Sequence, residues 1–279
     1  EPVRIGTRTL PPPGLVVLAA VGGALLLVVA TSRWGAPQDE HAYWLAARRL
    51  LAGEPLYDPA ATAVTPYAFW YPPIVAQVLA PIAAILPAEA FSWAWTGLLL
   101  ACLWYLASGR LLVALALVAF VPVAVELWFR NVHLVLAALV AAGMTRSPVA
   151  FTLGGAIKGA PALGLVYVAL RGGWRRALAA ASLGVALLAV SVALSPAAWS
   201  EYLAILGSRG PGDVASFVPL PYWVRGVAGL GLVVLGATRP RPVGDALLVA
   251  GIVVASPTLW TNALSMLVAI VPLVERRRA

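Results

Sequence analysis

The sequence predicts an all-α polytopic membrane protein, and three observations carry that prediction. Hydrophobic residues make up 62% of the 279 and charged residues only 11%, against roughly 25% charged in an average soluble domain. The apolar residues gather in long runs, as membrane-spanning helices of about 20 residues require. The arginines cluster in the gaps between runs, the pattern that holds loops on the cytoplasmic side.

Ten apolar segments follow one another: 14–31, 73–86, 90–107, 111–128, 132–144, 147–170, 174–195, 219–237, 243–256 and 257–274. They predict about ten transmembrane or half-spanning helices in a single integral membrane domain over residues 1–279. The first run is long for a signal-peptide core and lacks a small-residue cleavage site, so it is expected to remain as a helix. Segments 111–128 and 132–144 read either as two crossings or as broken helices. With a cytoplasmic N-terminus the inner loops hold eleven arginines and the outer loops six, counting Arg130 inside. The broken-helix reading moves Arg130 outside. Under either, the clusters RGGWRR, TRPRP and ERRR fall on the inner side, both termini are cytoplasmic, and the long loops 32–72 and 196–218 share the outer face.

The first long loop contains APQDEHAYWLAARRLLAGEPLYDP, residues 36–59, with an unusual density of charge for this chain. Asp39 suits a helix N-cap, Glu40 the first turn and Arg48 and Arg49 the last turns. Gly53 suits the left-handed position that ends a helix. Tyr43, Trp44, Leu45, Leu50 and Leu51 let such a helix lie at the lipid interface. An amphipathic juxtamembrane helix is therefore expected in the first outer loop. The aromatic residues Tyr67, Phe69, Trp70 and Tyr71 then form an interfacial belt, and Pro72-Pro73 opens the next span, where missing N–H groups cost nothing.

Composition excludes several functions. The net charge of +8 is explained by loop topology, so no nucleic-acid partner is expected. One cysteine, Cys102, and two histidines leave no intrachain disulfide, no thiolate metal site and no histidine-rich centre. One lysine against eighteen arginines, with abundant Ala, Val, Gly and Pro, reads as the bias of a GC-rich, bacterial genome, and the expected location is a bacterial plasma membrane.

The order D-x-x-x-Y, then G-x-P-L-Y-D, then Y-P-P resembles the first outer loop of the GT-C glycosyltransferases. Here those residues are Asp39 and Tyr43, then Gly53, Pro55, Leu56, Tyr57 and Asp58, then Tyr71, Pro72 and Pro73. The likeness is greatest to the GT87 branch, the polyprenyl-phosphate-mannose-dependent mannosyltransferases of actinobacterial envelopes and their arabinofuranosyltransferase relatives. Gly155-Ala156-Ile157-Lys158-Gly159-Ala160-Pro161 resembles the family's I-K-x-x-P element, and Ser216 with Arg225 its Ser…Arg element. Ser256-Pro257-Thr258-Leu259-Trp260 resembles its S-P-x-x-W turn. Two departures stand out. Phe129-Arg130-Asn131-Val132-His133 occupies the place of a G-Q/N-x-N element, and Thr261 and Asn262 stand where a histidine commonly follows the S-P-x-x-W turn.

The resemblance implies an inverting glycosyltransferase on the extracytoplasmic face, moving a sugar, foremost mannose, from a polyprenyl-phosphate donor to a lipid or glycan acceptor. It assigns the general base to Asp39. Such a base contributes about 10²–10⁴-fold in rate. Glu40, adjacent on a helix and so pointing elsewhere, joins Tyr43, Tyr57, Tyr71, Arg130, Asn131, His133, Lys158 and Arg225 as candidate donor- and acceptor-binding residues. Lys158, in an apolar segment, is the leading candidate for the lipid phosphate, since a mid-helix charge costs about 2.5–3.5 kcal/mol and needs a reason. Its alternative reading is pairing with a carboxylate such as Glu126. Arg130 and Arg225 also read as topological charges, His133 as a packing histidine, and Glu126 and Asp245 as helix-end charges. The absence of a nucleotide-binding loop favours a lipid-linked donor, and neither cofactor nor metal is expected. Two other classes remain, a transporter or lipid flippase and a non-catalytic GT-C-like membrane subunit.

Overall fold

The computed structural model describes residues 11–31, 39–61, 65–208 and 216–275. Arg4, Arg8, Arg33, Arg209, Arg276, Arg277 and Arg278, counted above for topology, lie outside the described residues. Fourteen α-helices follow in chain order among the described residues. They are α1 (Pro13–Thr31), α2 (Asp39–Ala52), α3 (Pro73–Ile85), α4 (Ala88–Leu106), α5 (Leu111–Val118), α6 (Val121–Phe129) and α7 (His133–Thr145). Then come α8 (Val149–Lys158), α9 (Leu163–Val168), α10 (Trp174–Leu194), α11 (Pro196–Ser208), α12 (Tyr222–Ala237), α13 (Arg241–Val254), a 3₁₀ stretch Thr261–Ile270, and α14 (Val271–Glu275).

Two helices among the described residues are long and apolar enough to cross a membrane, α1 and the 35-residue run Ala160–Leu194. Two bent pairs, α4 with α5 (114°) and α6 with α7 (119°), raise the number to four if each pair is one span. The expectation of about ten spans is therefore not met by length and composition. The apolar runs are interrupted by residues that end helices. Gly109 takes φ +72° between α4 and α5, and Arg130 takes the left-handed conformation (φ 52°, ψ 42°) that ends α6. Ala160–Leu194 itself leaves helical geometry at Arg171 and Gly172, inside the RGGWRR element. The 21 residues of α10, at 1.5 Å each, are still about 31 Å long, the thickness of a hydrocarbon core.

Exposure confirms the solvent. Val17, Leu27, Val185, Val190 and Leu194 lie more than half exposed on α1 and α10, and a soluble monomer does not present continuous apolar faces of this kind. The protein is a helical membrane protein.

Close packing relies on small residues. A Cβ on Gly229 of α12 would lie 2.5 Å from the Gly251 carbonyl of α13, and one on Gly236 would lie 2.7 Å from that of Gly244. These two helices therefore touch backbone to backbone, the arrangement that favours helix association without a hydrophobic driving force. Near the site, the fully buried Phe151 ring of α8 fills a slot between Gly143 of α7 and Gly164 of α9. The helix that carries this ring, α8, ends at Lys158.

The loop segments carry their own ties. The backbone N–H of Leu56 donates to Glu201 of α11 (3.0 Å), and the Tyr57 ring packs on Tyr202. Phe217 donates its N–H to the Leu259 carbonyl (3.2 Å), beside a bridge between Ser216 and Leu259.

Candidate active site

The helix expected around Asp39 is present as α2, and Asp39 opens it. Gly53 ends it as expected, at φ +70°. The Glu54 N–H reaches the Arg49 carbonyl (2.9 Å) and the Gly53 N–H the Leu50 carbonyl (3.2 Å), the bonding pattern of a Schellman cap. The D-x-x-x-Y spacing acquires a physical meaning here. Residues four apart share one helix face, so Asp39 and Tyr43 both point toward the junction of α6 and α7.

That junction begins where Arg130 leaves helical geometry. Asn131 follows, with its Oδ1 accepting from the Val132 N–H (2.6 Å) and from the Tyr71 hydroxyl (3.0 Å). Its Nδ2 donates to the Asp39 carboxylate. The Tyr43 hydroxyl donates to that of Tyr71 (3.0 Å), so a directed chain runs Tyr43, Tyr71, Asn131, Asp39. The Tyr57 hydroxyl donates to the Tyr71 carbonyl (2.7 Å) and thereby fixes the backbone that carries the chain's second member. Burial pushes the Asp39 carboxyl up to about 6; the Asn131 hydrogen bond opposes the rise, Glu126 adds to it, Lys158 opposes it and Glu40 adds to it.

A second chain begins on α6. Glu126 is fully buried. Its Oε1 accepts the N–H groups of His133 (2.5 Å) and Leu134 (3.3 Å), capping α7 from outside that helix. Its Oε2 lies 3.0 Å from His133 Nδ1, and His133 Nε2 lies 2.8 Å from Lys158 Nζ. The Asn262 side chain hydrogen-bonds Glu126 as well. Gly159, at φ +69°, ends α8 directly after Lys158, and the 3₁₀ turn Ala160–Ala162 carrying Pro161 follows. The ammonium thus sits at a helix C-terminus, where the dipole favours a cation.

Tyr71 joins the two chains: its hydroxyl belongs to the Asp39 chain, while its ring lies 5.6 Å from Lys158 Nζ. A carboxylate and an ammonium therefore flank one tyrosine, which suits a reaction that removes a proton at one point and gathers negative charge at another.

Other candidates fall elsewhere. Glu40 turns away from Asp39, as adjacency on a helix requires. Its Oε1 accepts from Ser92 (2.8 Å) and Arg130 (3.0 Å), and Arg130 also contacts Ser92. Arg130 therefore lies on the side of the first long loop, and its placement among the inner arginines is corrected in favour of the broken-helix reading. Arg225, buried, donates to the carbonyls of Ser256 (2.6 Å), Pro257 (2.8 Å) and Leu220 (3.4 Å). It holds the S-P-x-x-W turn rather than joining the Asp39 cluster. Among the described residues, no three His, Cys, Asp or Glu side chains gather in a metal-ligating group.

Glu126 and Asn262 were not among the candidate site residues read from the sequence, where Glu126 stood as a helix-end charge or a partner for Lys158 and Asn262 as a departure from the family pattern. A carboxylate inside an apolar run, seven residues before a histidine in the next one, was the available signal. Asn262 occupies the position where a histidine was expected after the S-P-x-x-W turn, and that position does reach the site. Lys158 pairs through His133 rather than directly with Glu126.

The sequence model of glycosyltransferase family 87 matches residues 69–274. That span takes in Tyr71, Glu126, Asn131, His133, Lys158 and Asn262 and leaves α2 with Asp39 outside it. No curated protein and no solved structure matches the chain.

Proposed function

Because this chain belongs to glycosyltransferase family 87, a GT-C-type membrane glycosyltransferase family, we propose that it transfers a sugar, foremost mannose, with inversion from a polyprenyl phosphate to a hydroxyl of a lipid or glycan acceptor. Asp39 is the general base. The observation that carries this reading is the directed chain from Tyr43 through Tyr71 and Asn131 to Asp39. It spends the amide's donor on one carboxylate oxygen and leaves lone pairs for an acceptor hydroxyl.

In the step, the acceptor oxygen attacks the sugar's anomeric carbon as its proton passes to Asp39. The bond from that carbon to the phosphate oxygen breaks, and its electron pair leaves with the polyprenyl phosphate. The products are the glycoside, the lipid phosphate and a protonated Asp39, so charge and atoms balance. A phosphate leaves without a strong acid, and one carboxylate is therefore enough. Lys158, across the Tyr71 ring, is placed to hold the phosphate as its negative charge grows.

The proposed setting is a bacterial plasma membrane with both termini cytoplasmic. The loops 32–72 and 196–218 then lie outside, with α2 as the juxtamembrane helix of a single domain. No cofactor is assigned beyond the lipid-linked donor.

Purified protein in lipid, a radiolabelled polyprenyl-phosphate sugar and a hydroxyl acceptor test the reading. Asp39→Ala and Asp39→Asn are expected to lower kcat about 10²–10⁴-fold with KM little changed. Transfer at the unaltered rate in both variants would remove Asp39 as the base. Movement of lipid or solute across vesicles without transfer from any donor would replace the reading with transport.

A further inference from the structure

Resting on the reading that Lys158 holds the departing phosphate, we infer that Glu126 and His133 are positioning residues that hold Lys158 as an oriented ammonium. Glu126 Oε1 is occupied by two backbone N–H groups, and Oε2 faces His133 Nδ1 at 3.0 Å. An ionised Glu126 can only accept, which puts the imidazole proton on Nδ1. Nε2 is then a lone pair, and it lies 2.8 Å from Lys158 Nζ. A neutral amine can also donate to that lone pair, but an ammonium has three protons and no lone pair, so only the charged Lys158 satisfies Nε2 and keeps two protons and a full charge for an anion. One proton goes to Nε2, the Tyr71 ring lies 5.6 Å away, and the remaining protons are free for a phosphate oxygen.

Three helices make this arrangement, with the carboxylate on α6, the imidazole on α7 and the amine on α8. The charged and titratable groups acting on Lys158 are Glu126 and Asp39, with His133 and Tyr71 in contact. His133 as a mere packing residue would need only its two hydrogen bonds. It would not need the proton on one particular nitrogen, and that difference is testable.

In Glu126→Gln the amide oxygen can keep the two backbone N–H groups, which leaves the amide NH₂ facing Nδ1. The imidazole then shifts its proton to Nε2 and presents a donor to Lys158. The expected loss is on the order of tenfold in kcat. In a Lys158→Met background the same Glu126→Gln change should cost less than about twofold, because the residue it acts through is gone. Equal losses in both backgrounds would overturn the inference and assign Glu126 to folding.

His133→Gln supplies a carbonyl oxygen for Lys158 and an NH₂ for Glu126, so it should stay within about fivefold of wild type, while His133→Leu falls with Lys158→Met. If the glutamine and leucine variants fall alike, the inference also fails. One readout needs no sugar transfer. Lys158 is the only lysine in the chain, so reductive methylation followed by mass spectrometry reports its free-amine fraction directly. Methylation of Lys158 at neutral pH is expected to run several-fold faster in Glu126→Gln than in wild type. An unchanged rate would overturn the inference even if transfer is active. A faster rate in a protein that transfers no sugar would keep the inference about Lys158 and remove the transferase assignment.

Discussion

Asp39 presents the conflict between stability and chemistry at a single atom group. Its carboxyl is raised from the ordinary 3.8 to about 6, first by burial, against the opposing Asn131 hydrogen bond. A base must be unprotonated, so kcat/KM is expected to fall about tenfold per pH unit below about 6 and to level off above it. Residual transfer by Asp39→Asn should lack that limb, and a pH–rate profile of the two proteins checks both statements. The same shift has a folding consequence of defined sign. The ionised form is disfavoured in the folded state, so the stability linked to this group is complete below 3.8 and is lost as pH rises through about 6. Asp39→Asn, which can still accept from Asn131, should therefore unfold at a higher temperature than wild type at neutral pH, with the advantage vanishing in acid. An isolated dipeptide Asp-Glu says none of this; the D-x-x-x-Y order singled out Asp39 and Tyr43 as part of a family resemblance, and their shared helix face is seen only in α2. Glu126 was legible only as a helix-end charge or a direct partner for Lys158, and the reason is physical. Its significance arises from the 119° bend that folds α7 back against α6, and the residues around it are apolar in either case.

At the scale of elements, the bends matter more than the helices. Segment 111–144 reads as apolar runs, and Pro122 and Arg130-Asn131 mark where it breaks before α6 and α7. Arg130 accepts a left-handed backbone that favours glycine or asparagine, and its side chain is held by Glu40 and Ser92. Such a position is visible once α2 and α4 are in place and not before. The end of α8 was more legible, since Gly159 and Pro161 are local signals. Its position in space depends on Phe151, whose ring a Cβ on Gly164 would meet at 2.2 Å. Gly164→Ala is accordingly expected to destabilise the fold by about 1–3 kcal/mol and to lower transfer by displacing Lys158. Pairing it with Phe151→Leu should recover most of both losses, because the smaller side chain vacates the space the methyl needs. Thermal unfolding and transfer assays on the single and double variants measure the coupling. Additive losses would show that the slot does not position α8.

For the whole molecule, composition was a sufficient guide to a helical membrane protein and a poor guide to the number of crossings, because a short apolar helix and half of a broken span look alike in sequence. Orientation can be argued from one helix. Its first residue, Trp174, follows the RGG break, and its last, Leu194, leads into α11, whose Glu201 binds the Leu56 N–H of the first long loop. The arginine-rich turn and the paired long loops are thus at opposite ends of α10, about 31 Å apart at 1.5 Å per residue. The proposed orientation places Arg171 inside and Gly53 outside. The single cysteine makes this accessible, since Cys102→Ala leaves a background without thiols. In intact cells expressing that background, Ala52→Cys, on the exposed end of α2, should react with a membrane-impermeant maleimide. Arg175→Cys should react only after permeabilisation. The reverse pattern would put the Asp39 chain on the cytoplasmic face, where a sugar nucleotide rather than a polyprenyl phosphate would be the accessible donor, and would remove the extracytoplasmic assignment at its root.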